Sequence, residues 1–229
     1  MHVTDPLYRA ELVGKVYGDA HSAVRALTDA SFSVRAGSFL AIVGPSGSGK
    51  STLLNVLGLL DNNFGGTVLY DNVDITTLSE VQLARLRNKE IGLVFQSYQL
   101  LPRNSAIENV ELPLLYSGIG ARARRERAEQ ALQRVGLEHR RTHLPAQLSG
   151  GEQQRVAIAR AIVNDPKVIL ADEPTGSLDS VSGEAIVRLL EDFNQAGTTV
   201  IVVTHSTEVA SRAAQQIVMK DGQVVHEQG

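Results

Sequence analysis

The chain contains no cysteine and no tryptophan, and only seven prolines and two methionines in 229 residues. Without cysteine there is no disulfide framework, no cysteine-ligated zinc, no thiol nucleophile and no iron–sulfur centre. Aromatic residues make up 4% of the chain, too few for the stacking platforms of a single-strand binder. Nor is there a basic excess: Lys+Arg number 22 against 25 Asp+Glu, for a net charge of −3. A dedicated nucleic-acid binder normally presents a positive surface, so no nucleic-acid partner is expected. Long apolar runs are also missing. The longest is Phe39–Val43, against the ~20 residues that span a bilayer. The first ten residues, MHVTDPLYRA, lack the basic and apolar regions of a signal peptide. The expected location is therefore the cytosol, or a membrane surface reached only through a partner.

What the chain has in relative abundance is glycine, 20 residues. Its placement is more informative than its number. A chain of this length hides roughly 70% or more of its unfolded surface on folding, enough for one core without covalent staples.

Hydrophobic periodicity gives a β-rich start followed by alternating strands and helices. Residues 10–17 and 24–35 have strand-like spacing about a Gly-Asp turn, and the run 39–43 reads as a strand buried on both faces. Residues 50–60 predict a helix, 67–70 a strand, 79–90 a helix and 91–95 a strand. From 97 to 163 the pattern is helical or irregular, with helices expected at 105–118, 121–136 and about 150–163. Strands at 168–171, 199–203 and 217–219 follow, with helices at 181–196 and 206–214 and a last strand beyond the Lys220–Gln223 turn. Strands separated by helices imply an α/β fold with a mostly parallel sheet covered on both faces. The block 97–163 reads as an inserted helical subdomain, and 1–96 with 164–229 as the core of a single 1–229 domain.

The densest motif lies between the buried strand and the helix that follows it. Gly44, Pro45, Ser46, Gly47, Ser48, Gly49, Lys50, Ser51 and Thr52 match G-x-x-x-x-G-K-[ST]. Glycines let such a loop wrap a polyphosphate with backbone N–H groups and a helix N-terminus facing the anion. Lys50 would reach the β/γ-phosphates and the Ser51 hydroxyl would ligate Mg²⁺. Asp172 and Glu173 close the apolar run Val168–Ala171, where α/β sheets place their sites. Asp172 suits Mg²⁺ through water, and Glu173 suits the polarisation of an attacking water. A second glycine pair, in Leu148-Ser149-Gly150-Gly151-Glu152, opens the helix at about 150. It is either another anion-binding helix N-terminus or an ordinary capping turn.

Taken together, these motifs resemble the ATP-binding cassette (ABC) ATPases over nearly the whole chain. Gly44–Thr52 corresponds to the Walker A loop, Leu148–Glu152 to the signature and Val168–Glu173 to the Walker B strand. Gln96 sits where the family has its Q-loop glutamine, Ser177-Leu178-Asp179 resembles the D-loop, and His205 the switch histidine. Tyr17 resembles the aromatic that stacks on adenine. One departure is visible, Glu152 in place of the commoner glutamine. The segments Ile91–Ser97, Asn109–Leu115 and Ala171–Ser180 are similar to one subgroup. It comprises macrolide exporters, lipoprotein-release, haem and peptide-antibiotic efflux systems and the cell-division ATPase.

The resemblance implies a P-loop NTPase (RecA-like) core with an N-terminal antiparallel β subdomain and an inserted α-helical subdomain. It implies ATP and Mg²⁺ as ligands, with Ser51, Gln96 and Asp172 at the metal. It also implies head-to-tail pairing with a second copy, in which Ser149, Gly150, Gly151 and Glu152 meet the partner's nucleotide. Asp179 would lie at that nucleotide too, and His205 would touch the γ-phosphate. The further partner implied is an integral membrane permease, which would hold the chain at the cytoplasmic face of the inner membrane.

Other signals are weaker. His139 and His143 are one helical turn apart and are candidate metal ligands, although Arg140 and Arg141 lie between them. Residues 122–141 hold seven Arg against three Glu, a composition that suits a solvated helical face better than a nucleic-acid surface. The alternative function is a non-transport ABC ATPase of DNA repair or translation. Repair ATPases of this kind insert long coiled coils between the P-loop and signature, whereas Thr52 and Leu148 are separated by 95 residues without sustained heptads. A small-molecule kinase, a third reading, gives no role to the signature or His205.

Overall fold

The structure is a computed structural model that describes residues 6–18 and 22–228. Asp19, half of the expected Gly-Asp turn, lies outside the described residues. Strand β1 (Pro6–Tyr17) is followed by β2 (Val24–Arg35), β3 (Phe39–Val43), helix α1 (Lys50–Leu57), β4 (Gly65–Tyr70) and β5 (Val73–Asp74). Then come α2 (Glu80–Glu90), β6 (Ile91–Val94), α3 (Ala106–Leu115), α4 (Ala121–Arg134) and α5 (Gly150–Ile162). The chain continues through β7 (Val168–Asp172), α6 (Ser180–Gln195), β8 (Thr199–Val203), α7 (Thr207–Ser211), β9 (Gln215–Lys220) and β10 (Gln223–Gln228). It divides into two compact units, Met1–Ala84 with Asn194–Gly229 and Arg85–Phe193.

The first unit holds an antiparallel sheet in the order β2-β1-β4-β5 and the strand series β10-β9-β3-β8. In the series, β3 runs parallel to both β8 and β9, while β10 returns antiparallel to β9. On β1 the side chains of Tyr8, Ala10 and Val13 are buried and those of Arg9 and Glu11 are exposed. Such alternation marks a strand with one wet face. Strand β8, by contrast, is buried at all five positions, and β3 from Phe39 to Ile42. Each fully buried Val or Ile there is worth roughly 1.5–3 kcal/mol over exposure. The strand ends that carry the motifs therefore rest on stiff supports. Helix α1 ends at Leu57, short of the expected residue 60, because Leu59 takes φ 55° and the Leu60 N–H turns back to the carbonyl of Asn55.

In the second unit β6 pairs parallel with β7, in register from Ile91 opposite Val168 to Val94 opposite Ala171. Helix α5 buries Val156, Ala157, Ile158, Ala159 and Ile162. It approaches β6 so closely that a Cβ on Gly92 would lie 2.6 Å from the carbonyl oxygen of Ala161. The arginines of α4 are largely spent on pairs within this unit: Arg122 with Glu126, Arg125 with Glu111 and Glu129, and Arg134 with Asp165.

Several boundaries differ from the periodicity reading. Strand β1 begins at Pro6 rather than residue 10, α3 stops at Leu115 rather than 118, and α7 at Ser211 rather than 214. At both helix ends a 3₁₀-type bond closes the last turn, from Ser117 N–H to Leu114 and from Ala213 N–H to Ala210. The two-residue β5 and the 3₁₀ turns at 75–77, 138–140 and 145–147 are too short for a periodic signal. Among the described residues no helix is long and apolar enough to cross a membrane.

Candidate functional site

In the first unit the chemistry gathers at one end of the parallel strands. Ile42 of β3 stands opposite Val203 of β8. Gly44 and His205 each follow two residues beyond, so the P-loop and His205 leave the same edge of adjacent strands, which lie ~4.8 Å apart. The Thr204 N–H, donating to the Ile42 carbonyl at 3.1 Å, ties the two exits together.

The loop itself is shaped by glycine where side chains cannot fit. Gly49 takes φ 98°, and a Cβ there would run into the Ala26 carbonyl and come within 3.1 Å of Leu27 Cδ2. Below the loop, the Gly222 N–H donates to the Ser48 carbonyl at 3.1 Å. The β9–β10 turn thus braces it.

Two polar groups indicate what the loop fits. The buried Lys50 ammonium donates to the carbonyls of Gly44 (2.8 Å) and Pro45 (2.9 Å), and it has no carboxylate partner among the described residues. The Ser48 Oγ is buried with no hydrogen-bond partner. A buried cation without a counter-charge and a spare hydroxyl, beside the N-terminus of an eight-residue helix, fit a polyphosphate. The Ser51 hydroxyl in the next position is an oxygen donor of the type Mg²⁺ prefers.

Tyr17 ends β1 in the same unit, with its ring 41% exposed and its hydroxyl 3.2 Å from Asp61 Oδ2. Asp61 also accepts from the Lys15 ammonium at 2.7 Å. Its carboxyl is nevertheless subject first to burial, which raises its pKa. The hydrogen bonds from Lys15, the Asn63 N–H and Tyr17, with the Lys15 charge, outweigh that and hold it below the ordinary carboxylate value.

The second unit repeats the arrangement at the ends of β6 and β7. Because Val94 faces Ala171, Gln96 and Glu173 both lie two residues past a paired position, with Asp172 between. A Cβ on Gly176 would sit 2.8 Å from Gln96 Nε2 and 3.4 Å from the Glu173 carbonyl, so the Gln96 amide lies across the 173–176 turn. Ser177 Oγ approaches the Gln96 carbonyl at 3.5 Å. Glu173 adopts φ 45°, a conformation rare outside glycine and asparagine that costs of order 1–3 kcal/mol and concentrates at functional sites. Asp172 and Gln96 offer hard oxygen donors suited to Mg²⁺.

The signature segment opens α5 as a capping box. Ser149 Oγ accepts from the Glu152 N–H at 3.2 Å, and Glu152 Oε2 accepts from the Ser149 N–H at 2.8 Å. Both alternatives left by the sequence share this geometry, since a capped helix N-terminus also presents the N–H groups of Gly150 and Gly151. Arg140 Nε donates to Glu152 Oε1 at 3.0 Å, and Arg140 Nη1 lies 3.2 Å from His143 Nε2. A Cβ on Gly151 would crowd the Ser182 side chain at 3.1 Å. Asp179 caps α6, accepting from Ser182 N–H at 3.0 Å and Ser182 Oγ–H at 2.7 Å. Among the described residues no cluster of three His, Asp or Glu side chains gathers as a metal site, around His139 and His143 or elsewhere.

Some positioning groups escaped the sequence reading. Arg160 on α5 donates to the carbonyls of Gln99 (2.6 Å) and Tyr98 (2.8 Å), gripping the loop after Gln96 where both residues have positive φ. Arg140, Lys15 and Asp61 hold the signature and Tyr17. Each acts across 12 or more positions of sequence, and no local pattern signals such a pairing.

A strand-to-helix glycine loop around a buried lysine, on an α/β sheet, defines a P-loop nucleotide-binding protein. Comparison with known proteins narrows the class: the family model described as ABC transporter matches residues 27–176, and the chain belongs to that family. It is 51% identical over 220 residues to the macrolide export ATP-binding/permease protein MacB of Brucella melitensis, covering 96% of this chain and 34% of that protein. The chain thus spans about a third of the length of the MacB proteins that it matches. It is also 53% identical over 192 residues to the ABC transporter ATP-binding protein YknY of Bacillus subtilis, with 84% of each chain covered. Among solved structures, the ATP-binding cassette MJ0796, dimeric and bound to ADP and Pi, superposes with a TM-score of 0.89 at 44% identity. That match covers 96% of this chain and 97% of the other. The fold is that of the ABC ATPase cassettes.

Proposed function

We propose that the chain is the ATP-hydrolysing part of an ABC transporter, working as a head-to-tail pair and driving a membrane permease at the cytoplasmic face of the inner membrane. The transport is export or efflux of a macrolide, lipoprotein, haem or peptide, or mechanical signalling to an extracytoplasmic domain. The likeness to the MacB proteins supports this direction, and the full-length likeness to a dimeric cassette supports the pairing. The observation that carries the ATPase reading is Lys50, a buried ammonium held by two loop carbonyls at a helix N-terminus.

Lys50 and the N–H groups of the 44–52 loop bind the β- and γ-phosphates, and Ser48 Oγ offers a further hydrogen bond. By the family resemblance Ser51, Asp172 and Gln96 would be the oxygen donors for Mg²⁺, which would neutralise charge on the phosphates. Glu173, the residue after β7, accepts a proton from the attacking water at its carboxylate. His205 donates to the γ-phosphate, and Tyr17 stacks on the base. Ser149, Gly150 and Gly151 present N–H and hydroxyl donors to the γ-phosphate bound by the second copy, with Glu152 fixing the turn. Asp179 orders the segment beside that nucleotide. Closure of the pair on ATP and reopening after hydrolysis is the output, a ligand-driven population shift. Replacing Glu173 by Gln keeps the shape and removes the base. Steady-state hydrolysis should fall by about 10²–10⁴-fold while ATP binding persists. Unchanged turnover in Glu173→Gln would remove the base assignment.

A further inference from the structure

Lys15 is a buried cation that the reaction does not use. Only 6% of its side chain is exposed, and a lysine so placed needs full compensation to stay charged. It has three partners. The ammonium donates to Asp61 Oδ1 at 2.7 Å and to the Asn63 carbonyl, and it lies 4.9 Å from the centroid of the Tyr17 ring. Asp61 in turn accepts from Asn63 N–H at 3.0 Å and from the Tyr17 hydroxyl at 3.2 Å. Lys15 and Tyr17 are two apart on β1, and Asp61 and Asn63 lie in the connection between α1 and β4. The same connection leads back through α1 to Lys50. One end of this segment therefore holds the phosphate loop and the other grips the aromatic ring.

We propose that Lys15 and Asp61 are positioning and specificity-determining residues for the nucleobase, acting through Tyr17. The proposal rests on the reading of Tyr17 as the base platform. Asp61 fixes the ring by its hydroxyl, so that little rotamer freedom is left to lose when a base stacks. Lys15 occupies one ring face and draws π density toward itself. The opposite face is then less negative and favours a large, electron-rich purine over a pyrimidine. The carboxyl of Asp61 stays ionised in support of this, because Lys15, Asn63 and Tyr17 together outweigh its partial burial. The grip is local to one unit and independent of the phosphate contacts. It should therefore alter base recognition and leave polyphosphate recognition alone.

The test is calorimetric titration of the full chain with ATP, CTP and inorganic triphosphate in the presence of Mg²⁺. Tyr17→Ala should weaken ATP about tenfold or more and leave triphosphate unchanged. Lys15→Met combined with Asp61→Asn removes both charges of the pair together, so that neither is stranded. It should weaken ATP about fivefold, lower the ATP-to-CTP affinity ratio and leave triphosphate unchanged. Tyr17→Phe, which removes only the exposed tether, should weaken ATP about threefold and decides the matter if the double variant is poorly folded. Should the double variant or Tyr17→Phe bind ATP as the unmodified chain does while Tyr17→Ala does not, the proposal is overturned and the platform reading stands. A loss shared equally by ATP and triphosphate in the double variant also overturns it, since that marks general damage to the loop. Unchanged ATP affinity in Tyr17→Ala would remove the platform reading itself and the proposal with it.

Discussion

Two glycines of the same loop carry different burdens, and replacing each by alanine separates them. Gly47 takes φ 78° with no atom within 4 Å of where a Cβ would stand. Gly47→Ala therefore meets only the backbone penalty of a left-handed conformation, ~1–2 kcal/mol. Gly49 takes φ 98°, and its Cβ would strike the Ala26 carbonyl and crowd Leu27 Cδ2 at 3.1 Å and Met219 Cε at 3.4 Å. Side chains can give by a few tenths of an ångström, but the carbonyl belongs to β2 in the antiparallel sheet. Gly49→Ala thus adds an overpacking cost of about 1–3 kcal/mol to the same backbone penalty. For a chain of this size the difference is roughly 2–12 °C in melting temperature, at ~2–4 °C per kcal/mol. Differential scanning calorimetry of the two variants without nucleotide measures it directly. Gly49 is also the N-cap of α1, and its carbonyl accepts from Leu53 N–H at 2.9 Å. Gly49→Ala should accordingly lose ATP binding by more than Gly47→Ala. Equal melting temperatures would refute the packing argument and mean that β2 yields freely to the loop.

Arg140→Ala should cost only about 0.5–1 kcal/mol, because its ion pair with Glu152 is partly solvent-screened, with side chains 38% and 16% exposed. Glu152 is held below the ordinary carboxylate value first by the Ser149 N–H; burial opposes this, while Arg140 and the Ser149 hydroxyl reinforce it. A depressed carboxyl contributes stability that is fully present above its unfolded value and lost as pH falls through its folded one. The difference between the unmodified chain and Arg140→Ala, read by denaturant titration, should therefore be constant above about pH 5 and shrink below it. A gap that widens in acid contradicts this sign. The expected loss of hydrolysis in Glu173→Gln and the change of base preference in Lys15→Met/Asp61→Asn complete the set.

Much of this was legible in the order of residues because the physics is local. The strand Phe39–Val43, the glycine loop and the helix behind Lys50 are contiguous, and anion binding at a helix N-terminus needs nothing remote. The same holds for Val168–Asp172 with Glu173, and for Ser149 with Glu152 three positions on. What sequence could not supply are the contacts that aim these groups. Arg160 reaches 61 positions to the Gln99 carbonyl, and Lys15 reaches 46 to Asp61. Each looks in sequence like one more charged residue on a strand or helix. Helix ends escape periodicity where a backbone conformation decides them, as with Leu59 at φ 55°. Leucine gives no local warning of such a stop.

On the proposed function one chain carries two half-sites, a phosphate loop leading into Lys50 and a signature beginning at Ser149, completed only by a second copy. Ser149→Arg and Lys50→Ala each damage one half, so each alone should be inactive. Mixing the two variants, with heterodimer formation verified by differential tagging, should restore ATP hydrolysis, because one site in the mixed pair has both halves intact. Heterodimers that form and remain inactive would contradict the claim.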